Sequence, residues 1–589
     1  MTDYRSPIAD IGVQLHHGVG LSEILGLDAF ADIDLETVDA LVAEAGRFFE
    51  EVVAPLNRGS DVEGAVLAAD GTVTVSPGFM EAYQQTVAAG WTAIGAPVEY
   101  GGGGFPSVVS IAIQDLLATA CLSFSLCPLL TGGSIDALLA FGSEQQREVY
   151  LPKLVTGEWS GTMNLTEPEA GSDVGALTAR AEPNDDGSWR VTGQKIFITY
   201  GDHEMTDNIV HLVLARTPDS PPGTKGISLF LVPKFLVNDD GSLGERNDVR
   251  VVSLEHKMGI HGSPTAVMAY GDDGGATGWL IGEEHAGMRA MFVMMNNARL
   301  SVGLEGVSMG ERAYQQAKAF AHERRQGRAV GAEPGASSPI VDHADVQRML
   351  LDMASSIAAM RGLCYRTAAA SDQAEAGTTE DDRAAGEALT GLLTPLAKAW
   401  CTDTGCELTS IGLQIHGGMG YIEETGAAQH YRDARISPIY EGTNGIQAID
   451  LVGRKLSMAD GAVVRGHLAS IAATADRCEG SDTLAVAVPH LRAALNAVTE
   501  ATDFLLAADM ADRLPGAAPY LEMLAVTTAG SMLAETALGA EQADDPAAEE
   551  QAVLARFFAV NRVARVPGNL AAVSGLGPEL AAGRTTVLS

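Results

Sequence analysis

The chain has 589 residues, more than one hydrophobic core requires, so several domains are expected. Its composition, with 46% hydrophobic and 19% charged residues, excludes wholesale disorder, a coiled coil and a collagen-like fibre. The 38 basic and 76 acidic residues give a formal net charge of −38. Such a surface repels nucleic acid and anionic membranes, so neither is expected as a general partner.

The cysteine pattern indicates unpaired thiols. Six cysteines are spread along the chain, and none forms a C-x-x-C pair. A disulfide scaffold or a zinc module is therefore not expected, and no metal site is predicted. A reducing cytoplasm is the simplest location for such a protein.

The first 160 residues have the spacing of helices. Apolar residues recur at helical intervals over residues 35–53, and Pro55 ends that helix. Residues 108–130 form the most apolar segment of the chain. Gln114 and Asp115 near one end of it favour a buried helix over a membrane span.

The pattern changes to short strands between about residues 161 and 280. These runs are rich in β-branched and aromatic residues and are bounded by Asp, Gly and Pro. They cover residues 189–199, 209–215, 226–232 and 249–254. Two Asn-Asp-Asp-Gly turns, at 184–187 and 238–241, fit hairpin connections, so an antiparallel sheet domain is predicted.

Helical spacing returns at about residue 285. Apolar residues between 300 and 321 share one helical stripe, and residues 491–505 carry another in a later Ala-rich region. Polar stretches at 327–338 and 377–383 predict loops between helices.

Four segments carry residues suited to a cofactor or substrate. Residues 163–173 offer hydroxyls and backbone N–H groups, and residues 193–201 place an aromatic side chain on a strand. Consecutive glycines in 413–421 allow the close approach of a backbone or a pyrophosphate. Residues 436–445 place Glu441 between Tyr and Gly, before a helix. Each segment also has a plain structural interpretation: a capped loop, a core aromatic, a helix-breaking loop and a capping carboxylate.

In this order and spacing, the four segments resemble the acyl-CoA dehydrogenase family of flavoproteins. The strings Thr-Glu-Pro-Glu-Ala-Gly-Ser-Asp at 166–173 and Tyr-Glu-Gly-Thr at 440–443 are the most specific. The resemblance covers about residues 35–460. The start, Tyr4-Arg-Ser-Pro, and the added C-terminal helices are similar to a long subgroup. That subgroup includes 3-methylmercaptopropionyl-CoA dehydrogenases and broad-range bacterial fatty acyl-CoA dehydrogenases.

The resemblance implies an α+β fold in which helical domains flank a middle β domain. The expected parts are an N-terminal extension (1–34), an N-terminal helical domain (35–160), a middle antiparallel β domain (161–284), a C-terminal four-helix bundle (285–460) and an additional helical domain (461–589).

The resemblance also implies a set of FAD contacts and a smaller set of substrate contacts. Residues expected at the cofactor are Met163, Leu165, Thr166, Ser172, Phe197, Ile198, Thr199, Arg324, Gln414, Gly417, Gly418, Thr443 and Asn444. Residues expected at the substrate are Ser172, Arg299, Tyr440 and Gly442. Many relatives carry Trp at the position of Phe197, and Arg324 with residues 414–418 would reach the FAD of a partner subunit.

Glu441 matches the catalytic base of the family. It would take the α-proton of an acyl-CoA thioester while the β-hydride passes to the flavin, which yields a trans-2-enoyl-CoA. A free Glu has a pKa of about 4.3, so burial beside the acyl chain should raise it towards neutrality.

The substrate and the electron acceptor stay open at this point. The favoured function is an acyl-CoA dehydrogenase that passes electrons to an electron-transfer flavoprotein. Alternatives are a dedicated 3-methylmercaptopropionyl-CoA dehydrogenase, an acyl-CoA oxidase that uses oxygen, and a non-catalytic or DNA-binding relative. The retained Glu441 argues against a non-catalytic relative, and the net charge of −38 argues against a DNA-binding relative. In long relatives, helices such as the additional C-terminal ones cover the face that shorter relatives use to form tetramers, so the resemblance implies a homodimer. Integral membrane contact is not expected.

Overall fold

The computed structural model describes residues 4–238, 240–333, 335 and 337–589. The α-helices are α1 (Ile8–Val13), α2 (Leu21–Leu25), α3 (Leu35–Val52), α4 (Leu56–Glu63), α5 (Phe79–Ala88), α6 (Ser107–Ala120), α7 (Leu122–Phe141), α8 (Glu144–Val155), α9 (Gly287–Glu323), α10 (Ala344–Ala376), α11 (Glu380–His416), α12 (Ala427–Ala434), α13 (Asn444–Asp450), α14 (Ala462–Glu479), α15 (Val488–Ala507), α16 (Met510–Arg513), α17 (Ala517–Gln542), α18 (Ala548–Asn561) and α19 (Leu570–Thr586).

Twelve strands lie among the described residues, all before α9. They are β1 (Val66–Leu67), β2 (Val73–Thr74), β3 (Trp159–Asn164), β4 (Arg180–Pro183), β5 (Trp189–Thr199), β6 (Asn208–Arg216), β7 (Ile227–Pro233), β8 (Phe235–Val237), β9 (Leu243–Arg246), β10 (Val249–Leu254), β11 (Thr265–Tyr270) and β12 (Ala276–Ile281). The predicted order of helices, strands and helices is therefore confirmed.

The chain divides into two units. The first contains Arg47–Phe105 and Ala120–Ala298, and the second contains residues 4–46, Pro106–Thr119 and Arg299–Ser589.

The first unit is built on an eight-stranded sheet. Its strand order is β10-β11-β5-β12-β7-β6-β3, with β4 paired to β5 and β6. Successive residues on one strand face opposite sides of the sheet: Leu212 lies in one apolar cluster and Val213 in the other. Leu229 and Phe230 alternate in the same way, so both faces of the sheet are covered by core.

Two predictions need correction. The sheet is mixed, because β3 runs parallel to β6 with Met163 opposite Leu212. The chain reverses twice between them, from β4 to β5 and from β5 to β6, and so returns in the direction of β3. The apolar segment 108–130 is two helices, since Cys121 adopts an extended backbone between α6 and α7. The 184–187 turn joins β4 and β5 as predicted, whereas the 238–241 turn includes Asp239, which lies outside the described residues.

The polar interruption predicted at 377–383 is present but shorter, since it covers residues 377–379 between α10 and α11. Helix α11 already begins at Glu380, because Thr379 and Asp382 form a capping box. The Thr379 hydroxyl accepts a hydrogen bond from the Asp382 backbone N–H, and the Asp382 carboxylate accepts one from the Thr379 N–H, each at 3.1 Å. The loop predicted at 327–338 contains Pro334 and Ala336, which lie outside the described residues.

One helix among the described residues, α7, is long and apolar enough to cross a membrane by composition. Within its most apolar window, 61% of the residues are buried inside the protein. Buried core helices pass the same test, so this helix is accounted for by packing.

The second unit is helical, and α17 is one of its most enclosed helices. Of its 26 residues, 19 are buried. It packs against α10, α11, α13 and α18, and residues 14–18 near the start of the chain also pack against it. The added C-terminal helices are therefore part of the core that supports α13.

Candidate active site

The loop between α12 and α13 carries the candidate base. Glu441 and Gly442 both have left-handed backbones, with φ of 54° and 83°. This conformation costs an L-residue such as Glu about 1–2 kcal/mol, so the surrounding contacts must hold it. Thr443 then caps α13, since its hydroxyl accepts a hydrogen bond from the Ile446 N–H.

Two side chains hold the carbonyl that follows the base. The Nε atom of Arg299 donates to the Glu441 carbonyl oxygen at 3.4 Å. The Gln447 amide donates to the Glu441 and Gly442 carbonyl oxygens, each at 3.3 Å. Arg299 and Gln447 are both buried. Arg299 thus contacts the main chain beside the base, and its role at the substrate stays a prediction.

Burial and nearby positive charges have opposite effects on the pKa of Glu441. The side chain is half-buried, and this burial raises the pKa of its carboxyl above the usual value of 4.5. The positive charges of Arg299 and Lys398 act in the opposite direction. The result is a carboxylate that is a stronger base than a solvent-exposed Glu, which suits proton abstraction.

The buried Lys398 and the half-buried Asn444 form a hydrogen-bonded pair at the start of α13. The ammonium group of Lys398 donates to the Asn444 amide oxygen at 2.8 Å. The Asn444 amide nitrogen donates to the Ala399 carbonyl and the Thr402 hydroxyl, each at 3.0 Å. The Asn444 side chain therefore faces the protein interior, and it supports the catalytic loop from there. Burial lowers the pKa of Lys398 to about 8 despite three nearby carboxylates, those of Glu305, Glu441 and Asp403.

The Tyr440 hydroxyl is also used inside the protein. It donates a hydrogen bond to the carboxylate of Glu305, a buried residue of α9. The predicted substrate contact of Tyr440 would therefore involve its ring or its main chain.

In the first unit, the predicted flavin-binding strands lie side by side. The Ile196 N–H donates to the Thr166 carbonyl oxygen at 2.9 Å, which joins the loop after β3 to β5. Phe197 is 58% exposed and has a left-handed backbone, with φ of 62°. An exposed ring held in a strained conformation fits an aromatic that stacks on a flat ligand. Thr166 and Thr199, both half-buried, place hydroxyl groups on the same two segments.

Three other predicted cofactor residues of this unit turn towards its core. Met163 and Ile198 are buried in the apolar clusters, and Leu165 packs against one of them. Any contact of Met163 or Ile198 with a cofactor must therefore be made by the main chain. Ser172 is exposed, so its hydroxyl is available to a ligand.

A buried ion pair anchors this segment. The Glu167 carboxylate accepts a hydrogen bond from the ammonium group of Lys195 at 2.8 Å, and Lys195 also donates to the Leu165 carbonyl. Further donors to Glu167 are the Thr178 hydroxyl and the backbone N–H groups of Thr178 and Ala179. The predicted loop 163–173 is thereby tied to β5.

The glycine loop at the end of α11 has room for a ligand. Gln414, Gly417 and Gly418 are exposed, and Gly417 has a positive φ of 59°. A Cβ atom placed on Gly417 or Gly418 would meet nothing within 4 Å. Packing within the chain therefore does not require glycine at residue 418, whereas an approaching phosphate would benefit from the open backbone. Arg324, just after α9, is likewise exposed, and it contacts the Gln326 side chain.

These features fit FAD as a cofactor. An exposed aromatic with neighbouring hydroxyls suits the flavin ring, and an open glycine backbone and an exposed arginine suit its phosphates.

Sequence reasoning missed Glu305, Lys398 and Gln447. Two of them left a signal, because Glu305 interrupts an apolar helical stripe and Lys398 stands alone in the apolar run 392–400. A lone charge on a buried helical face requires a partner, which marks it as part of a polar site. Gln447 left no such signal.

Four family models match successive parts of the chain. Three describe the acyl-CoA dehydrogenase N-terminal domain (residues 36–158), middle domain (162–272) and C-terminal domain (285–456). The fourth, "Acetyl-CoA dehydrogenase C-terminal like", matches residues 467–582.

The chain is also similar to individual proteins along most of its length. It is 45% identical over 542 residues to the 3-methylmercaptopropionyl-CoA dehydrogenase of Ruegeria pomeroyi, covering 91% of each chain. It is 34% identical to the broad-specificity linear acyl-CoA dehydrogenase FadE5 of Mycobacterium tuberculosis, covering 80% of this chain and 77% of that protein. The crystal structure of an acyl-CoA dehydrogenase complexed with FAD from Bacillus anthracis shares its fold, with a TM-score of 0.74 at 23% identity over 96% of this chain and 93% of that one. The chain therefore belongs to the acyl-CoA dehydrogenase family, in the long form with an additional C-terminal helical domain, and is an FAD-dependent enzyme that dehydrogenates acyl-CoA thioesters.

Proposed function

We propose that Glu441 removes the α-proton of the acyl-CoA thioester. The observation that carries this assignment is the half-buried carboxyl group with a raised pKa on a left-handed backbone, whose following carbonyl Arg299 and Gln447 hold. A positioned base of this kind contributes about 10²–10⁴-fold to a proton transfer. The main-chain N–H of Glu441 would donate to the thioester carbonyl oxygen, where negative charge develops.

FAD, when bound, accepts the β-hydride of the substrate. Phe197 would stack on the flavin, with Thr166, Thr199 and the main chain of Met163, Leu165 and Ile198 beside it. Ser172 and Thr443 would donate hydroxyl hydrogen bonds to the cofactor. Asn444 supports this group from within the protein, since its amide is used by Lys398 and Thr402. Arg324, Gln414, Gly417 and Gly418 would bind phosphate groups of FAD held by a partner subunit.

The substrate proposed is a short acyl-CoA that includes 3-methylmercaptopropionyl-CoA. The similarity to the Ruegeria enzyme over 91% of both chains supports this choice. Straight-chain acyl-CoA is the second candidate, because the Mycobacterium relative acts on linear acyl-CoA by its name. A thioether sulfur is nearly isosteric with a methylene, and one methylene gives only about 10–200-fold discrimination, so both can be accepted. Ser172, Arg299, Tyr440 and Gly442 are proposed on the substrate side.

An anaerobic titration with acyl-CoA tests the assignment. Flavin absorbance is followed while saturated straight-chain thioesters and 3-methylmercaptopropionyl-CoA are added separately to the holoenzyme. Bleaching by 3-methylmercaptopropionyl-CoA and by short straight-chain thioesters, and a loss of at least about 100-fold in the bleaching rate for Glu441→Gln, is the expected result. Glu500→Gln, an exposed change on α15, serves as the matched control. Wild-type flavin that no thioester bleaches would contradict the proposed substrates, and rapid bleaching of Glu441→Gln would contradict the base.

An electron-transfer flavoprotein is proposed as the acceptor, and a cytoplasmic location is proposed with it. The family membership supports the acceptor, and six cysteines without a disulfide support the reducing location. Peroxide release on aerobic turnover, at the rate of substrate consumption, would instead identify an oxidase.

A homodimer is proposed for the oligomeric state. The additional helices α14–α19 enlarge the second unit, and in long relatives such helices cover the face used for tetramers. Sedimentation of the holoenzyme should give a dimer, and forced monomers should lose FAD. A stable tetramer would contradict this proposal.

A further inference from the structure

A second carboxyl group is buried beneath the loop that carries the base. Glu305 is only 1% exposed. One of its oxygens accepts a hydrogen bond from the Ser437 hydroxyl at 2.6 Å, and the other accepts one from the Tyr440 hydroxyl. A single carboxylate on α9 therefore bridges both ends of the turn that immediately precedes Glu441.

We propose that Glu305 is a positioning residue for the dehydrogenation, which fixes the main chain of Glu441 by holding Tyr440. This inference rests on the proposed role of Glu441 as the base. Tyr440 and Glu441 are adjacent in sequence, so a fixed Tyr440 side chain also fixes the position of the Glu441 backbone. A non-glycine residue keeps a left-handed backbone only where its surroundings determine it.

The loop has anchors on both sides of the base. After Glu441, Arg299 and Gln447 hold the carbonyl. Across the loop, the Asn444 N–H donates to the Pro438 carbonyl oxygen at 3.0 Å. Before Glu441, the carboxylate of Glu305 ties the loop to α9 through Ser437 and Tyr440.

The chemistry of the position selects a carboxylate. Burying a carboxyl group is costly, so a site that needed only volume would favour an apolar side chain. A carboxylate has two acceptor oxygens, so it can accept a hydrogen bond from a hydroxyl group at each of them. An amide has one acceptor oxygen, and an apolar side chain has none. Burial raises the pKa of Glu305 to about 7, against the opposing effect of Ser437, Tyr440 and Lys398. The charged groups that face it are Lys398 and Glu441.

The test compares Glu305→Gln, Tyr440→Phe and the double variant by anaerobic stopped-flow reduction of the bound flavin at saturating acyl-CoA. Each single change should slow reduction at least about tenfold, because small displacements of a catalytic group are costly. The double variant should be no slower than the slower single variant, since both remove one shared contact. The substrate dissociation constant should stay within about threefold, as uniform binding is untouched.

A pH profile separates this role from a general loss of structure. Glu305 carries its negative charge only towards and above pH 7, the value to which burial raises its pKa. Because that charge disfavours ionisation of Glu441, Glu305→Gln should move the midpoint of flavin reduction to lower pH. Glu311→Gln is the matched control, because Glu311 is a buried carboxylate on the same helix that contacts Arg361 and Gln315 instead. It should leave both the reduction rate and the midpoint unchanged.

The outcomes are distinguishable. Wild-type rate and midpoint in Glu305→Gln, or additive losses in the double variant, would overturn the positioning role alone. Failure of every thioester to reduce wild-type flavin would overturn the proposed function and this inference together. If Glu305→Gln does not fold, Tyr440→Phe, which removes one hydroxyl, decides the matter by the same two measurements.

Discussion

Arg299 and Glu441 are joined through the main chain, since the Nε atom of Arg299 donates to the Glu441 carbonyl oxygen over 3.4 Å. Gln447 donates to the same oxygen. With two donors on one carbonyl, the peptide that follows the base is fixed, and the carboxylate leaves the main chain in one direction. The strained backbone at Glu441 is thus maintained by side chains that are not themselves bases in the reaction.

Gln447→Leu removes one of these two donors at constant volume. We expect flavin reduction to slow by at least about tenfold with little change in acyl-CoA affinity, because the base is misplaced but the binding surface is retained. Stopped-flow reduction over a range of acyl-CoA concentrations measures both quantities. Gln551→Leu, another buried glutamine in the second unit, is the control and should keep the wild-type rate. Equal rates in the two variants would show that Arg299 alone holds the carbonyl.

Lys398→Met should move the pH dependence of flavin reduction. The positive charge of Lys398 lowers the pKa of Glu441, and the base acts only when deprotonated. Without that charge the pKa of Glu441 rises, so the reduction rate should reach its plateau at higher pH. Thr402→Val also removes a contact to Asn444 but changes no charge, and its midpoint should match the wild type. A midpoint at lower pH in Lys398→Met would contradict the electrostatic account.

Phe197→Gly separates stability from cofactor binding. Glycine relieves about 1–2 kcal/mol of left-handed strain and costs about 0.5–1 kcal/mol of chain entropy, so the apoprotein should unfold within about 1 kcal/mol of wild type. The affinity for FAD should nevertheless fall about tenfold, because ring stacking contributes about 0.5–1.5 kcal/mol beyond contact area. Thermal unfolding and FAD titration measure the two effects. Phe197→Trp should retain FAD; loss of FAD there too would exclude stacking as the role of this ring.

Glu167→Gln should destabilise the first unit. It leaves the ammonium group of Lys195 buried without its partner carboxylate, which costs about 3–5 kcal/mol. Burial by itself would raise the pKa of Glu167, but Lys195 and the backbone donors hold it below the usual 4.5. The wild-type pair therefore stabilises the fold above that pH, and the stabilisation is lost as pH falls below it.

Chemical denaturation at several pH values tests this prediction. The free energy of unfolding of the Glu167→Gln variant should depend less on pH below 4.5 than that of the wild type. Glu182→Gln breaks an exposed ion pair with Arg190 between neighbouring strands, and it should cost less than about 1 kcal/mol. Equal losses of unfolding free energy in the two variants would mean that the buried pair of Glu167 and Lys195 stabilises the fold no more than an exposed ion pair does.

Local patterns predicted the elements well, and contacts between distant residues account for what they missed. The alternation of 189–199 and the turn at 184–187 are properties of neighbouring residues, and the structure has both. The parallel pairing of β3 with β6 depends on two intervening reversals, which no local pattern encodes. The contact of Glu305 with Tyr440 joins residues 135 positions apart.

The site shows the same division. The motif residues of the loops were assigned roles from their strings, and those roles stay predictions. Burial within the protein raises the pKa of Glu441, whereas the predicted cause was burial beside the acyl chain. The direction of each side chain could not be foreseen, because it depends on partners supplied by other helices. Asn444 and Tyr440 were predicted at a ligand, yet their polar atoms contact Lys398 and Glu305 in the interior.

The packing of residues 14–18 against α17 has a consequence for biosynthesis. The buried Gln14 accepts a hydrogen bond from Thr536, 522 residues later in the chain. At about 5–20 residues per second, a ribosome needs roughly half a minute to two minutes to supply that partner. During this time the apolar side chains of the first helical segment, such as Leu15, have no α17 to cover them. Newly made chains should therefore depend on chaperone protection until α17 has emerged.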